Sequence, residues 1–389
     1  MTRRHLVLAG AGHGQLDLLA ALVRKPLAGW DISLVTPQPD FHYSGMLPAV
    51  IAGTVSPSAA AIPVAAIARA AGIQVHLAPV TALDASARTL TLSNGASLSF
   101  DLLSLDVGSS ASGLETPGAR EHAFAMRPFD AALGLIARLD MIFRQRARGE
   151  TIPIAVVGAG AGGVEIALAL RARVLSAGFD PAVTIIDAAA TDGLPLPGFS
   201  AVARKTAHAS LTRRNVTVIG GTVTAVTSDA VMVTSQHRAS EVPSAATAWV
   251  SGPAAHGWLA SSGLTCDAAG YPIASAALAL SSSDDTASSF GAGDCVALRD
   301  AGATPKAGVY AVRMAPVLAS NVLAAARGAH SPATFSPQEQ YLALLSTSDG
   351  SAILRWRAVT VESRWAQLLK TWIDERYLRR YRDLGRQRA

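Results

Sequence analysis

Cysteine is the first scarcity. The 389 residues contain only Cys266 and Cys295, far apart and in no CxxC or metal-ligand spacing, which excludes a disulfide framework and gives no reason to expect a metal centre. Aromatic residues are scarce too, at 5%, while half of the chain is hydrophobic; that profile, rich in Ala, Gly, Val and Leu, suits α/β folds with tightly packed parallel strands. Neither a charged-then-apolar leader nor an 18-residue apolar run is read from the sequence. With so few thiols, the expectation is a reducing, cytoplasmic setting, with attachment to the inner face of a membrane as an added option. Excess acidity is lacking as well. The formal net charge is +5, and eight basic residues against four acidic ones lie between Thr360 and Ala389. A basic end containing Trp365 and Trp372 reads as a foot for an anionic membrane surface rather than for nucleic acid.

Against these absences stands a repeated pattern. His5 to Gly14 is an apolar run breaking into glycines, a helical pattern follows from Leu16 to Val23, and Ile32 to Thr36 is the next strand, so the chain opens with a βαβ unit. The same grammar returns at Ile152, where a strand, a glycine turn and a long helix lead to a strand ending at Asp187. The stretch from Val216 to Ser235 alternates and turns at Gly and Asp, as antiparallel strands do. After Gln338 a small region leads to a basic amphipathic helix. The expected fold is α/β, with two Rossmann-like dinucleotide-binding domains. The first is discontinuous (1–115 and 250–335), the second spans 116–249, and 336–389 forms a C-terminal region contacting a membrane or a second subunit.

Gly158-Ala-Gly160-Ala-Gly162-Gly163 is the strongest motif. Its first glycine permits the tight turn, its second lets backbone approach a pyrophosphate, and Gly163 lets helix and strand pack closely, while the helix N-terminus stabilises phosphate charge. Asp187 would accept from the adenosine ribose hydroxyls, favouring NADH over NADPH. The N-terminal copy keeps Gly10 and Gly12, but Gln15 replaces the third glycine and Thr36 stands where an acid is usual. Gly293 and Asp294 end a further strand; Asp294 would accept from a ribityl hydroxyl, or would simply cap a helix.

In this order the segments GAGHG, YSGMLP, LDVGSS, GAGAGGVE, WVSGPA, GAGDC and PKAGVYAVR resemble the FAD-dependent pyridine nucleotide-disulfide oxidoreductase superfamily over nearly the whole chain. YSGMLP, PKAGVYAVR and WIDERYLRRY are most similar to the oxidoreductase domain fused, in some bacteria, to selenide, water dikinase. Type II NADH dehydrogenases and sulfide:quinone oxidoreductases are more distantly similar. The resemblance implies that Gly10, Gly12 and His13 lie on the FAD pyrophosphate, that Tyr43, Ser44, Gly45 and Met46 line the flavin, and that Gly158, Gly160, Gly163 and Asp187 take NADH. It further implies Gly252 near the nicotinamide nucleotide, and Glu165 facing the nicotinamide and flavin, unless Glu165 is only a solvated first-turn carboxylate. Lys306 and Gly308 would start a helix whose amides point at the flavin, so Glu165 and Lys306 are the expected reactive pair.

Departures from the family narrow the chemistry. Disulfide reductases carry a cysteine pair after the flavin loop, and Phe41 to Ile67 contains none, so that reaction is excluded. Type II NADH dehydrogenases present glutamines to quinone where this chain has Arg313 and Met314, whereas Trp365, Leu368, Leu369, Trp372 and Ile373 share one face of a basic helix suited to a bilayer or a dimer contact. The expectation is hydride transfer from NADH to FAD and onward to a second acceptor such as a quinone. A selenium-linked reductase and a flavin-binding sensor without turnover are the alternatives.

Overall fold

A computed structural model describes residues 3–281, 289–299, 304–329 and 333–385. Arg386 and Arg388, two of the tail's basic residues, lie outside the described residues.

Two parallel five-stranded sheets organise the molecule. In the first, the spatial order is Ser289–Gly291, Leu102–Leu105, Arg4–Ala9, Trp30–Thr36, Gln74–Leu77. The central strand buries Leu6, Val7, Leu8 and Ala9 completely, because helices cover the Leu6 and Leu8 face and the antiparallel strands bearing Leu83, Leu90 and Leu92 cover the Val7 and Ala9 face, leaving no polar side to alternate with. Helix α1 (His13–Arg24) follows this strand. The second sheet has the order Ala123–Ala125, Ala246–Trp249, Thr151–Val157, Asp180–Asp187, Val216–Gly220, and helix α2 (Ala161–Ser176) follows its central strand. In both sheets the glycine turn sits at the carboxyl end of that strand, the edge at which open α/β sheets bind ligands.

One reading of the sequence is corrected here. Val216–Gly220 is not the first of a set of antiparallel strands; it pairs in parallel with Asp180–Asp187 as the edge of the second sheet. The antiparallel unit begins only at Thr222–Val226 and continues through Ala230–Ser235 and Arg238–Pro243. Gly220 permits the switch, since a Cβ there would lie 2.5 Å from the Ala190 carbonyl oxygen.

A second correction concerns apolar length. Helix α3 (Gly308–Ala326), with a mean hydropathy of 1.4, is long and apolar enough to cross a membrane, yet half of that stretch is buried inside the protein. It packs along α1, with Leu318, Val322 and Met314 joining Leu16 and Leu19 in one core. Its apolarity is thus accounted for by burial within a two-sided α/β core. After α3, a three-stranded antiparallel sheet (Ala343–Ser346, Ala352–Trp356, Val359–Ser363) leads into helix α4 (Arg364–Arg382), capped by the Ser363 hydroxyl. Leu378 and Tyr381 of α4 belong to the same core as α1, which docks the chain's end beside its beginning.

Candidate functional site

The two glycine turns begin alike. Gly158 has φ +114° and a Cβ there would lie 2.4 Å from the Val250 carbonyl oxygen; Gly10 has φ +91°, with the Asp106 carbonyl oxygen at 2.1 Å from such a Cβ. Only glycine fits either corner. Gly163 performs the packing role assigned to it, because its Cβ would fall 1.8 Å from the Gly158 carbonyl oxygen.

Beyond the corner, the second turn is open. A Cβ on Gly160 would meet no atom within 4 Å, leaving clear the space from which a diphosphate approaches the helix N-terminus. A cavity of about 280 Å³ adjoins the turn, bordered by Gly158, Asp187, Gly221, Trp249 and Gly252. The Asp187 carboxylate accepts hydrogen bonds from the Ala159 and Ala189 amides at 2.6 and 2.7 Å, which fixes it at the cavity edge. The Gly252 carbonyl accepts from the Ser112 amide. These residues fit a pyridine nucleotide: an open cradle, an amide-bearing helix start and a carboxylate for ribose hydroxyls.

The first turn borders a cavity of about 340 Å³ at the carboxyl edge of its own sheet, with Gly12, Thr36, Gln38, Phe41, Val80 and Trp258 among its walls. It suits the adenosine half of FAD, with apolar walls for a purine and polar groups at Thr36 and Gln38. Gln15, in place of the third glycine, is fully buried: its amide donates to the Ser104 carbonyl and accepts from the Ser104 hydroxyl, pinning α1 to the neighbouring strand. The residue that sequence reasoning missed is Asp106. Its carboxylate lies inside this turn and accepts from the Gly14 and Gln15 amides at 2.6 and 3.3 Å. Gly293 adjoins the same carboxylate: a Cβ there would lie 2.5 Å from Asp106 Oδ1.

A third assembly lies where the two sheets' helices meet α4. Lys370 is 3.9 Å from Glu165 and 3.1 Å from Asp374, and it donates to the Gly45 carbonyl at 2.9 Å. Glu165 also accepts from the Ser346 amide at 2.8 Å, so it is a buried group and not a solvated first-turn carboxylate. The Tyr43 hydroxyl donates to Asp374 at 3.0 Å. Burial pushes the Glu165 and Asp374 carboxyls up, with Lys370 pulling them partly back. Burial favours the neutral form of Lys370, but Glu165 and Asp374 outweigh it and keep the ammonium charged. The expected flavin loop is drawn together by these contacts: the Tyr43 ring tucks under Gly45, Ser44 opens a short turn through Met46, and Met46 packs on the first core.

His13 does not point to solvent. Its Nδ1 is 2.5 Å from the Tyr377 hydroxyl, its ring sits edge-on to Phe41, Tyr43 and Tyr377, and burial drives its pKa down to about 4, so it is neutral. Gly308, at the start of α3, faces it: a Cβ there would lie 3.6 Å from His13 Nε2. Asp294 is paired with Arg127, which also donates to the Ser109 hydroxyl at 3.1 Å. The Lys306 ammonium donates to the Val296 carbonyl and lies 4.2 Å over the Tyr271 ring. Both cysteines are free; Cys295 is fully buried and its thiol is pushed up to about 12 by that burial, and burial raises Cys266 as well. Neither is poised as a thiolate.

The fold and its paired turns define an enzyme class that brings two nucleotides to one centre. The chain belongs to the pyridine nucleotide-disulphide oxidoreductase family, whose model matches residues 4–321. Its sequence is 35% identical over 135 residues to an NADH dehydrogenase-like protein of Mycobacterium tuberculosis, covering 33% of this chain and 34% of that protein. It is 26% identical over 187 residues to an external alternative NAD(P)H-ubiquinone oxidoreductase of Arabidopsis thaliana mitochondria, covering 43% of this chain and 32% of the relative. The alignments thus span about a third of each curated relative. In fold it is similar to the sulfide:quinone oxidoreductase of Aquifex aeolicus, with a TM-score of 0.78 at 19% identity over 98% of this chain and 92% of that one. It is also similar to NDH2 from Plasmodium falciparum in complex with NADH, with a TM-score of 0.77 at 13% identity over 99% and 97%.

Proposed function

We propose that this protein is an NADH:quinone reductase working at a membrane surface. The observation that carries the reading is Lys370. One buried cation ties Glu165, on the helix of the nicotinamide turn, to the carbonyl of Gly45 in the flavin loop and to Asp374, the partner of Tyr43. FAD, when bound, supplies the hydride acceptor that links a two-electron donor to a second oxidant. The chain's own residues do the rest. The Gly160 turn and the start of α2 hold the dinucleotide, Asp187 selects the free ribose hydroxyls of NADH, and the start of α3 at Gly308 offers amides to developing negative charge. Glu165 and Asp374, held toward their protonated forms by burial, are proton stores beside the centre, and reduction of a quinone consumes protons.

The acceptor's location is supported by α4, which turns an apolar strip outward while Leu378 and Tyr381 of its inward side join the core. Its inward side carries Lys370, Asp374 and Tyr377, whereas Trp365, Leu368 and Trp372 are 54%, 71% and 51% exposed. Trp356 and Val359 of the preceding hairpin are exposed too, and Arg376 lies 5.2 Å over the Trp372 ring. An outward apolar strip with interfacial Trp and flanking Arg fits the headgroup boundary of a bilayer. Leu369 and Ile373, expected on the same face, are only partly exposed.

The test is anaerobic. Mixing the purified protein with NADH should bleach the flavin's visible band, and a quinone in anionic vesicles should restore it faster than dioxygen or ferricyanide. Trp365→Ala with Trp372→Ala should weaken vesicle binding while leaving the bleaching step intact. Bleaching without reoxidation by any acceptor would favour a sensor instead. The absence of bleaching would reject the hydride step altogether.

A further inference from the structure

The second glycine of a dinucleotide turn is there so that a diphosphate can come close to backbone. At Gly160 that approach is clear. At Gly12 it is taken: a Cβ would lie 2.5 Å from Asp106 Oδ1, 2.6 Å from Cγ and 2.7 Å from Oδ2. The carboxyl group is penned by glycines on further sides, since a Cβ on Gly14 would come within 2.8 Å of Oδ2 and one on Gly293 within 2.5 Å of Oδ1. Asp106 is 3% exposed and uses the start of α1 as an anion would, accepting from the Gly14 and Gln15 amides. A carboxylate in this place does for the helix what a phosphate oxygen does in the other turn, and two such anions repel at contact distance in a poorly solvated site.

We propose that Asp106 is the positioning residue of the FAD site: its carboxyl occupies the diphosphate's approach on α1, and FAD is held there with Asp106 in its protonated form. The inference rests on the first turn being an FAD site. Protonation removes the repulsion and turns one carboxyl oxygen into a donor that can face a phosphate oxygen. Among the described residues no cation acts to neutralise the group. Asp294 faces it and is itself matched by Arg127; Cys295 and the Tyr377 hydroxyl add only groups that lose charge on burial, and Lys306 is engaged near Cys295. Burial pushes the Asp106 carboxyl up to about 7, against the pull of the Gly14 and Gln15 amides, and Asp294 adds to the rise. Proton uptake on binding is then required above about pH 7 and not below it.

The experiment is equilibrium dialysis of the purified holoprotein over about pH 6 to pH 8.5, with bound and free FAD read by flavin fluorescence. For the native chain the dissociation constant should be flat at the acid end and rise about tenfold per pH unit above pH 7, the slope of one linked proton. Asp106→Asn, which keeps the shape without the charge, should retain FAD with no slope, and at about pH 8 should bind roughly tenfold more tightly than the native chain. Asp106→Ala, which only empties the pen, should also be flat, and serves if the Asn variant does not fold. A slope that survives in Asp106→Asn, or that vanishes instead in Asp294→Asn, overturns the proposal, as does a native chain with no slope. Failure of every form to bind FAD at any pH would instead reject the FAD reading of the turn.

Discussion

The two glycine turns are built to one plan and finished differently. Both have a left-handed first glycine at the end of a strand whose last four residues are buried and both open a long helix, but the Gly158–Gly163 turn leaves its helix start open while the Gly10–Gly14 turn has its helix start satisfied by Asp106. The difference teaches what each turn is for. On the reading proposed above, a nucleotide that must leave after every turnover would need an open cradle, and a nucleotide that stays could share its cradle with a side chain that caps the helix start.

That comparison can be broken at its strongest point by Gly163→Ala. With a carbonyl oxygen 1.8 Å from the new Cβ, overpacking against backbone should cost about 3 kcal/mol or more and abolish soluble expression or lower the melting temperature sharply. Gly160→Ala, whose new Cβ would meet no atom within 4 Å, should melt like the native chain and lose only NADH affinity. Equal losses for both would show that the open cradle is not open. Next in size is Lys370→Ala, which strands Glu165 and Asp374 as buried carboxyls without their cation. Breaking such a group costs about 3–5 kcal/mol, and the loss should lessen on acidification, because protonation of the two carboxyls relieves it; chemical denaturation at two pH values checks this.

Smaller effects sharpen the contrast. Gly12→Ala should cost about 1–3 kcal/mol by crowding the Asp106 carboxyl, and the double variant Gly12→Ala with Asp106→Ala should recover most of it, a coupling that a double-mutant cycle reads directly. Asp106 also gives the native stability a pH dependence of known sign: its folded pKa is raised, so its contribution is intact in acid and is lost as pH rises through about 7. Thermal melts should therefore decline across that window in the native chain and decline less in Asp106→Asn. Smallest is Asp187→Ser, which should narrow the preference for NADH over NADPH by about tenfold, or about 1.4 kcal/mol. An unchanged ratio of kcat/KM values would mean that Asp187 only braces the turn through Ala159 and Ala189.

Much of this was legible in the sequence because it is written locally. A strand running into glycines and then into a helical period needs no distant partner to be recognised, and each glycine's role follows from its spacing. The substitution of Gln15 for a third glycine was visible as a departure, but its remedy, a pair of hydrogen bonds to Ser104, depends on a strand 89 residues away. Asp106 lay in plain view within LDVGSS and carried no signal, since nothing in the sequence places its carboxyl among the glycines of another segment. Lys370 and Asp374 were similarly hidden. An i, i+4 pair of opposite charges on a terminal helix is the ordinary mark of a solvated face, and only docking of α4 on Gly45, 325 residues earlier, makes it a buried one. Val216–Gly220 was misassigned for the converse reason: alternation identifies a strand and leaves its neighbour undefined.

Helix α4 carries the last consequence. One rigid rod presents tryptophans to the outside and seats Lys370 within, so on the proposed reading attachment and reaction would be served by the same part. A shortened chain, trimmed after the hairpin to obtain a form free of lipid, would come unplugged at the same stroke: the lysine between Glu165 and the Gly45 loop would leave with the anchor. If the proposed attachment holds, freeing the protein from a surface would call for repainting the outer side of the rod, residue by residue, and never for cutting it off.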